Sequence, residues 1–224
     1  MTGTLRHARA VAAKDLRIEV RGRYAVGSLL PFAGTVLIAF GLSLGPGRTL
    51  LQQTAPGLLW LAVLFASVLA FRRSYESEGE DGALEGLVLA PVDRASIFLG
   101  KAAAVIAELL VLEVLVWLMV VALFDLALRS PGVVAAAFVL GTIGLAAVGS
   151  LFGVLTESAR AREAVFPLLV LPLATPILVA GVKATALATT GSAGQAVSWL
   201  GLLVAFDVVF VAAGTLVFGY LLED

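Results

Sequence analysis

Three carboxyl side chains lie inside long apolar stretches of the sequence: Glu108, Glu113 and Asp207. An ionised carboxylate in the middle of a bilayer costs about 2.5 to 3.5 kcal/mol on insertion scales, so each group must be protonated, paired or facing a water-filled cavity. No Lys or Arg lies at a matching depth in these stretches. Two interpretations stay open: the carboxyls line a transport path or contact a partner membrane subunit, or they are hydrogen-bonded between helices.

The rest of the sequence offers little for covalent chemistry. It contains no Cys and a single His, His7, which excludes disulfides, thiolate metal sites and His clusters. No nucleophile is paired with a base, and no GxxxxGK[ST] run is present that could cradle ATP phosphates. The sequence therefore predicts a protein that is not an enzyme and holds no metal.

The elements that must position these carboxyls are membrane helices. Of the 224 residues, 60% are hydrophobic and only 14% are charged, whereas a soluble domain carries about 25% charged residues. Mean hydropathy is +1.04. We predict one all-α transmembrane domain over 1–224, with a retained first helix. A bilayer core needs about 20 apolar residues per helix, and six stretches satisfy this: 24–44, 50–71, 102–124, 133–155, 164–182 and 199–222.

The basic residues predict the orientation of these helices. If the N-terminus is cytoplasmic, the inner segments 1–23, 72–101 and 156–163 hold six, four and two Lys or Arg, and the outer connections hold only Arg48, Arg129 and Lys183. Twelve against three is the asymmetry of the positive-inside rule. Both termini are thus predicted to be cytoplasmic. The net charge of −1 gives no basic field for nucleic acid.

Residues 1–23 mix basic residues with Leu16, Ile18 and Val20. An interfacial helix has this composition, because its apolar side enters the headgroup region while Lys and Arg attract anionic lipid. An ordinary positively charged anchor for the first membrane helix explains it equally well, and both interpretations stay open.

The longest inner connection, 72–101, has the signals of a short helix. Asp81 or Gly82 can cap its N-terminus, Glu85 complements the dipole in the first turn, and Pro91 ends it. An apolar stripe follows at i, i+3 and i+4, formed by Leu84, Leu87 and Val88. The stripe lies flat at the interface, docks into a groove on another protein, or packs against the protein's own helix ends. Acidic flanks favour the protein groove, because an anionic leaflet repels them.

Two spans carry helix-perturbing or small residues. The fifth contains Pro167, Pro172 and Pro176, which remove backbone hydrogen bonds and predict a bend that either hinges or merely packs. The fourth contains Gly149 and Gly153 in a GxxxG spacing, which is a weak signal for close helix approach.

The run E-D-G-A-L-E-G-L-V-L-A-P, followed by Lys101, resembles the segment between helices two and three in the haem exporter permease family CcmB of cytochrome c maturation. The similarity extends to K-D-L-R-I-E-V-R-G-R, to A-P-G-L-L-W-L-A and to the region from Gly141 to Pro176, so it covers most of the chain. Ala90 and the run Val92-Asp93-Arg94 depart from the family pattern.

This resemblance implies an ABC-2 type permease half with a cytoplasmic coupling helix between helices two and three. The coupling helix would dock into a separate ATPase subunit that binds ATP, through Gly82, Leu84, Glu85, Leu87, Val88 and Pro91. It also implies a homodimer, a haem-handling membrane subunit and a small membrane subunit in a bacterial inner-membrane complex. The expected function is to couple ATP hydrolysis to haem export or to release of a haem-loaded chaperone.

Haem is expected as cargo of the complex rather than as a cofactor of this chain. The usual iron ligands are scarce, since besides His7 the sequence offers Met119 and three Tyr. The alternatives are an ABC-2 type exporter of another amphiphile, such as a lipid or drug, and an ion-coupled carrier using Glu113 and Asp207.

Overall fold

A computed structural model describes residues 2–22, 25–79, 94–155 and 162–221. Within these ranges the chain is helical, with no β-strand. A five-residue π-helical segment, Ala25–Leu29, leads directly into α2. The α-helices are α1 Thr2–Gly22, α2 Leu30–Leu44, α3 Arg48–Gly79, α4 Arg94–Phe124, α5 Pro131–Leu155, α6 Arg162–Thr190 and α7 Ala193–Leu221.

Six helices, α2 to α7, are long and apolar enough to cross a membrane. The predicted all-α membrane protein with six spans is therefore confirmed. Four helices extend well beyond the predicted spans. Helix α3 continues to Gly79, α4 already begins at Arg94, α6 continues to Thr190 and α7 begins at Ala193. Lys101 and Lys183 thus lie within helices. A long basic side chain does not break a helix, so charge marks the edge of an apolar stretch better than it marks the end of a helix.

Three short connections lie at the same end of the bundle, which we call the loop end: 45–47, 125–130 and 191–192. Gly45 and Gly191 have φ of 76° and 86°, a left-handed backbone conformation that glycine adopts without a steric penalty. After Gly191, the Ser192 N–H donates to the Leu187 carbonyl at 2.9 Å and ends α6. The charge distribution predicts that the loop end faces outward.

The centre of the bundle is formed by α3 and α5. Helix α3 packs against α2, α4, α5 and α6, while α5 packs against α3, α4, α6 and α7. Trp60 of α3 is fully buried where glycines allow close approach, since a Cβ at Gly141 or Gly181 would lie 2.3 or 2.5 Å from its ring. In contrast, α7 exposes apolar side chains such as Val208 and Leu216 along its length. The least buried spans are at the periphery.

Helix α1 packs along α4. Its Val11 side chain and Ala8 carbonyl lie so close to Gly100 that a Cβ there would be 2.7 Å from each. Arg9 and Arg17 are exposed. Helix α1 is therefore amphipathic, with its apolar side against the bundle, while its location at a lipid interface stays a prediction.

Candidate functional site

The predicted ATPase-docking segment lies outside the described residues. This applies to all six positions assigned to it, which are Gly82, Leu84, Glu85, Leu87, Val88 and Pro91. The docking role of this segment stays a prediction.

Glu113 lies near the middle of α4 and is completely buried. The Thr142 hydroxyl of α5 donates to its Oε1 at 2.8 Å, which joins two helices through one buried contact. Its Oε2 is also buried and has no hydrogen-bond partner in the described part of the chain. The carboxyl is thus half satisfied by a neighbouring helix, and it faces other helices rather than lipid.

Asp207 lies near the middle of α7 and is 7% exposed. Its Oδ1 rests against α5, where a Cβ at Gly144 would lie 2.8 Å away, and the Ile177 side chain of α6 approaches the same position at 2.9 Å. Neither carboxyl oxygen has a hydrogen-bond partner among the described residues. Asp207 therefore occupies an interface of three helices without a polar contact from any of them there.

The structure does not bring the three predicted carboxyls together. Thr142 and Gly144 are two residues apart, or about 200° around α5, so Glu113 and Asp207 contact different sides of that helix. Glu108 is half-buried on α4, five residues and about 140° from Glu113. Each carboxyl thus has its own surroundings, and the described residues contain no group of three His, Asp or Glu that could hold a metal ion.

Sequence reasoning missed two further polar features of the interior. The Trp60 indole N–H donates to the Thr185 hydroxyl at 3.0 Å, although the residues are 125 positions apart. Lys101, which the charge map counts as a cytoplasmic residue, is only 1% exposed. Gly141 and Gly181 are the sequence signal for this contact, because glycines on α5 and α6 leave room for a large side chain. They do not identify that side chain as Trp60.

Two of the side chains considered as haem ligands, Met119 and His7, belong to the described part of the chain. Met119 packs against α2, where a Cβ at Gly34 would lie 2.7 Å from its Cε. His7 is half-buried on α1. Met119 therefore fills space between α2 and α4, and the prediction that this chain binds no cofactor remains a prediction.

The helices and the buried carboxyls define a multi-pass α-helical membrane protein whose polar groups are distributed between helices. The family model described as CcmB protein matches residues 6–223, nearly the whole chain. The chain therefore belongs to the CcmB family, as the sequence resemblance predicts.

Three relatives, each named Heme exporter protein B, are similar over most of their length. The Pseudomonas aeruginosa protein is 32% identical over 212 residues, covering 90% of this chain and 93% of the relative. The Haemophilus influenzae protein is 29% identical over 220 residues, covering 92% and 91%. The Rhodobacter capsulatus protein is 30% identical over 195 residues, covering 84% and 85%. The similarity thus extends across the six helices.

Proposed function

We infer that this chain is the membrane permease subunit of a haem-export complex in bacterial cytochrome c maturation. The observation that carries this proposal is the family match over residues 6–223 together with relatives named as haem exporters. The six helices supply the required membrane-embedded body. The complex would reside in the cytoplasmic membrane, with both termini of this chain on the cytoplasmic side.

The energy source in this proposal is a separate ATPase subunit. The full sequence has no P-loop motif, so nucleotide binding of that kind requires another polypeptide. The apolar stripe Leu84, Leu87 and Val88 would enter a groove on that ATPase and transmit its closure to α3 and α4, which flank the segment. A permease half of this kind acts as a homodimer, alongside a haem-handling subunit and a small membrane subunit.

The surroundings of the carboxyls distinguish their possible parts in transport. Glu108 is half-buried and its Oε1 is enclosed, so only part of its side chain is open to a partner subunit or to a path between subunits. Glu113 is fully enclosed, and it would meet cargo only after α4 and α5 separate. Asp207 lacks a hydrogen-bond partner in the described structure, which leaves it able to accept one from a rearranged helix or a partner. ATPase-driven helix movement would therefore change Glu113 and Asp207 more than Glu108.

Co-purification with a matched pair of variants tests the docking role. The complex is solubilised from native membranes carrying wild-type protein, Leu87→Asp or Leu89→Asp. Leu89 lies about 200° from Leu87 on the predicted helix and outside its stripe. We expect Leu87→Asp to lose the ATPase and Leu89→Asp to retain it. Equal ATPase recovery from both variants contradicts the docking role without affecting the assignment to the family.

The cargo is tested by deletion and complementation in the host. Deletion should abolish c-type cytochromes, and the wild-type gene should restore them. Normal c-type cytochromes together with altered drug tolerance would instead indicate export of another amphiphile. An ion-coupled carrier would be indicated by transport that a protonophore stops and that survives loss of the ATPase.

The orientation is tested with a single cysteine. Because the sequence contains no Cys, a cysteine introduced by Ala83→Cys is the only thiol in the chain. We expect an impermeant thiol reagent to label it in inverted vesicles but not in intact cells. Labelling in intact cells would place the segment outside, where it cannot reach a cytoplasmic ATPase.

A further inference from the structure

A cavity of about 540 Å³ opens at the loop end, on the predicted outer face. Its walls come from the first turns of α3, the 125–130 connection and the last turn of α6. Four of its ten lining residues are apolar. The other six are polar or charged: Thr49, Gln52, Gln53, Arg129, Thr189 and Thr190. The volume lies within the range of about 300 to 1,000 Å³ that is typical of small-molecule sites.

Contacts to Asp125 fix the connection that carries Arg129. The Gln52 side-chain amide donates to the Asp125 carbonyl at 2.7 Å, and the Asp125 carboxylate forms an ion pair with Arg48. This exposed ion pair adds little stability, but it balances the carboxylate's charge. Gly191 lies beside the Arg129 stem, where a Cβ would be 3.4 Å from Cδ. The Arg129 stem therefore lies beside the end of α6, on a connection that is hydrogen-bonded to α3.

The charge of the cavity is positive. Arg129 is its one charged lining residue, and no acidic side chain in the described ranges forms an ion pair with it. The Gln53 amide adds donors from the facing wall. Thr190 is otherwise engaged, because its hydroxyl donates to carbonyls of α6 at 3.1 and 3.3 Å. The available donors thus include the Arg129 guanidinium, the Gln53 amide and the Thr49 hydroxyl, which suits a ligand with acceptor oxygens.

We propose that this cavity binds an oxyanion-bearing ligand, whose carboxylate or phosphate group is held by the Arg129 guanidinium and the Gln53 amide. The planar guanidinium fork matches two oxygens of such a group. Arg129 and Gln53 are both exposed at the mouth, so the ligand enters from the aqueous side. The site stands on the cavity's own geometry and does not depend on haem export.

Protection of Arg129 from phenylglyoxal, an arginine-selective reagent, tests the proposal. The full chain is placed in phosphatidylcholine nanodiscs, and mass spectrometry measures modification rates at Arg129 and Arg48. Three probes are compared: benzoate, inorganic phosphate and phosphatidylglycerol included in the disc. We expect at least one of them to slow modification of Arg129 but not of Arg48. Protection by benzoate or phosphate indicates a soluble ligand, and protection by phosphatidylglycerol alone indicates a lipid headgroup.

Two glutamine variants test whether the cavity itself is responsible. Gln53→Leu removes the facing amide, and Gln195→Leu changes an exposed glutamine of α7 outside the cavity. Because a neutral hydrogen bond contributes on the order of 1 kcal/mol, we expect Gln53→Leu to raise the half-protecting probe concentration about fivefold and Gln195→Leu to leave it unchanged. Absence of protection by all three probes, equal protection of Arg48, or equal behaviour of the two variants would overturn the proposal.

Discussion

Glu113 and Asp207 are two carboxyls buried near the middle of the membrane helices, and they differ in what faces them. Glu113 meets a hydroxyl, since Thr142 donates to it across the α4–α5 interface. Asp207 meets Gly144 and the aliphatic end of Ile177. The same functional group thus serves as an interhelical contact at one site and lacks a hydrogen bond in the described structure at the other.

The comparison shows that burial alone does not define a role for a membrane carboxyl. A buried hydrogen-bonded group stabilises one arrangement of its helices, whereas a buried group without a partner costs free energy in that arrangement. Asp207 is therefore the better candidate for a group that gains a contact when helices move or a subunit binds. Variants at both sites test this distinction.

The largest expected effect comes from filling the space between Asp207 and α5. Gly144→Leu places a branched side chain where a Cβ is already 2.8 Å from Asp207 and 2.9 Å from Ile177. Overpacking of this kind typically costs about 1 to 3 kcal/mol, and we expect the upper end because three helices meet there. The free energy of unfolding is measured by SDS titration in mixed micelles.

Gly132→Leu is the matched control for this prediction. Gly132 lies on the same helix, and a Cβ there would have no neighbour within 4 Å. We expect its unfolding free energy to stay close to that of the wild type. Equal destabilisation by the two substitutions would mean that Asp207 is not closely packed against α5.

The second prediction removes the carboxyl that lacks a partner. Leu has as many side-chain heavy atoms as Asp, so Asp207→Leu retains the shape but removes both buried oxygens. Since an unsatisfied buried polar group costs about 1 to 3 kcal/mol, we expect unfolding to become harder by about 2 kcal/mol. A transport assay should show reduced activity if Asp207 gains a contact during the cycle. A variant that is less stable than wild type would indicate that Asp207 is satisfied after all.

The third prediction removes the hydrogen-bond partner of another buried polar group, the Trp60 indole N–H, so that this group becomes unsatisfied as Asp207 is. Thr185→Val removes the acceptor of the Trp60 indole N–H, which then stays buried without a partner. We expect a loss of about 1 kcal/mol in unfolding free energy. Thr189→Val serves as the control, because the Thr189 hydroxyl donates to its own helix at the Ala186 carbonyl. An equal loss in the two variants would argue against a distinct Trp60–Thr185 contact.

Much of the fold could be predicted from sequence because membrane helices are defined by local composition. The length of each apolar run predicts six spans, and every one of them corresponds to a helix. The charge count was less informative about helix ends. Lys183 marks the predicted end of a span at 182, yet α6 continues for seven residues beyond Lys183. Ala and Leu in this stretch favour the helix, and it ends before Gly191, which has a positive φ.

The partner of each buried carboxyl could not be predicted, because it depends on how two helices are rotated against each other. Thr142 is 29 residues from Glu113, and a rotation of α5 by one residue would place another side chain there. Gly144 gave no sign in the sequence that it faces an acid. The loop-end cavity could not be predicted for the same reason, because its polar residues come from three separate segments: the start of α3, the 125–130 connection and the end of α6.

The smallest expected effect tests the hydrogen bond itself by a double-mutant cycle. Glu113→Met and Thr142→Val are made singly and together, and the coupling is taken from the unfolding free energies. Interhelical hydrogen bonds in membranes average about 0.6 kcal/mol in such cycles, so we expect a coupling of about that size. Asp207→Leu combined with Thr142→Val is the control cycle. Asp207 packs against the side of α5 that carries Gly144, whereas Thr142 lies on a different side of that helix. The coupling in this cycle should therefore be near zero. Similar couplings in the two cycles would remove the distinction between the carboxyls, because Thr142 would then act through general packing rather than through its contact with Glu113.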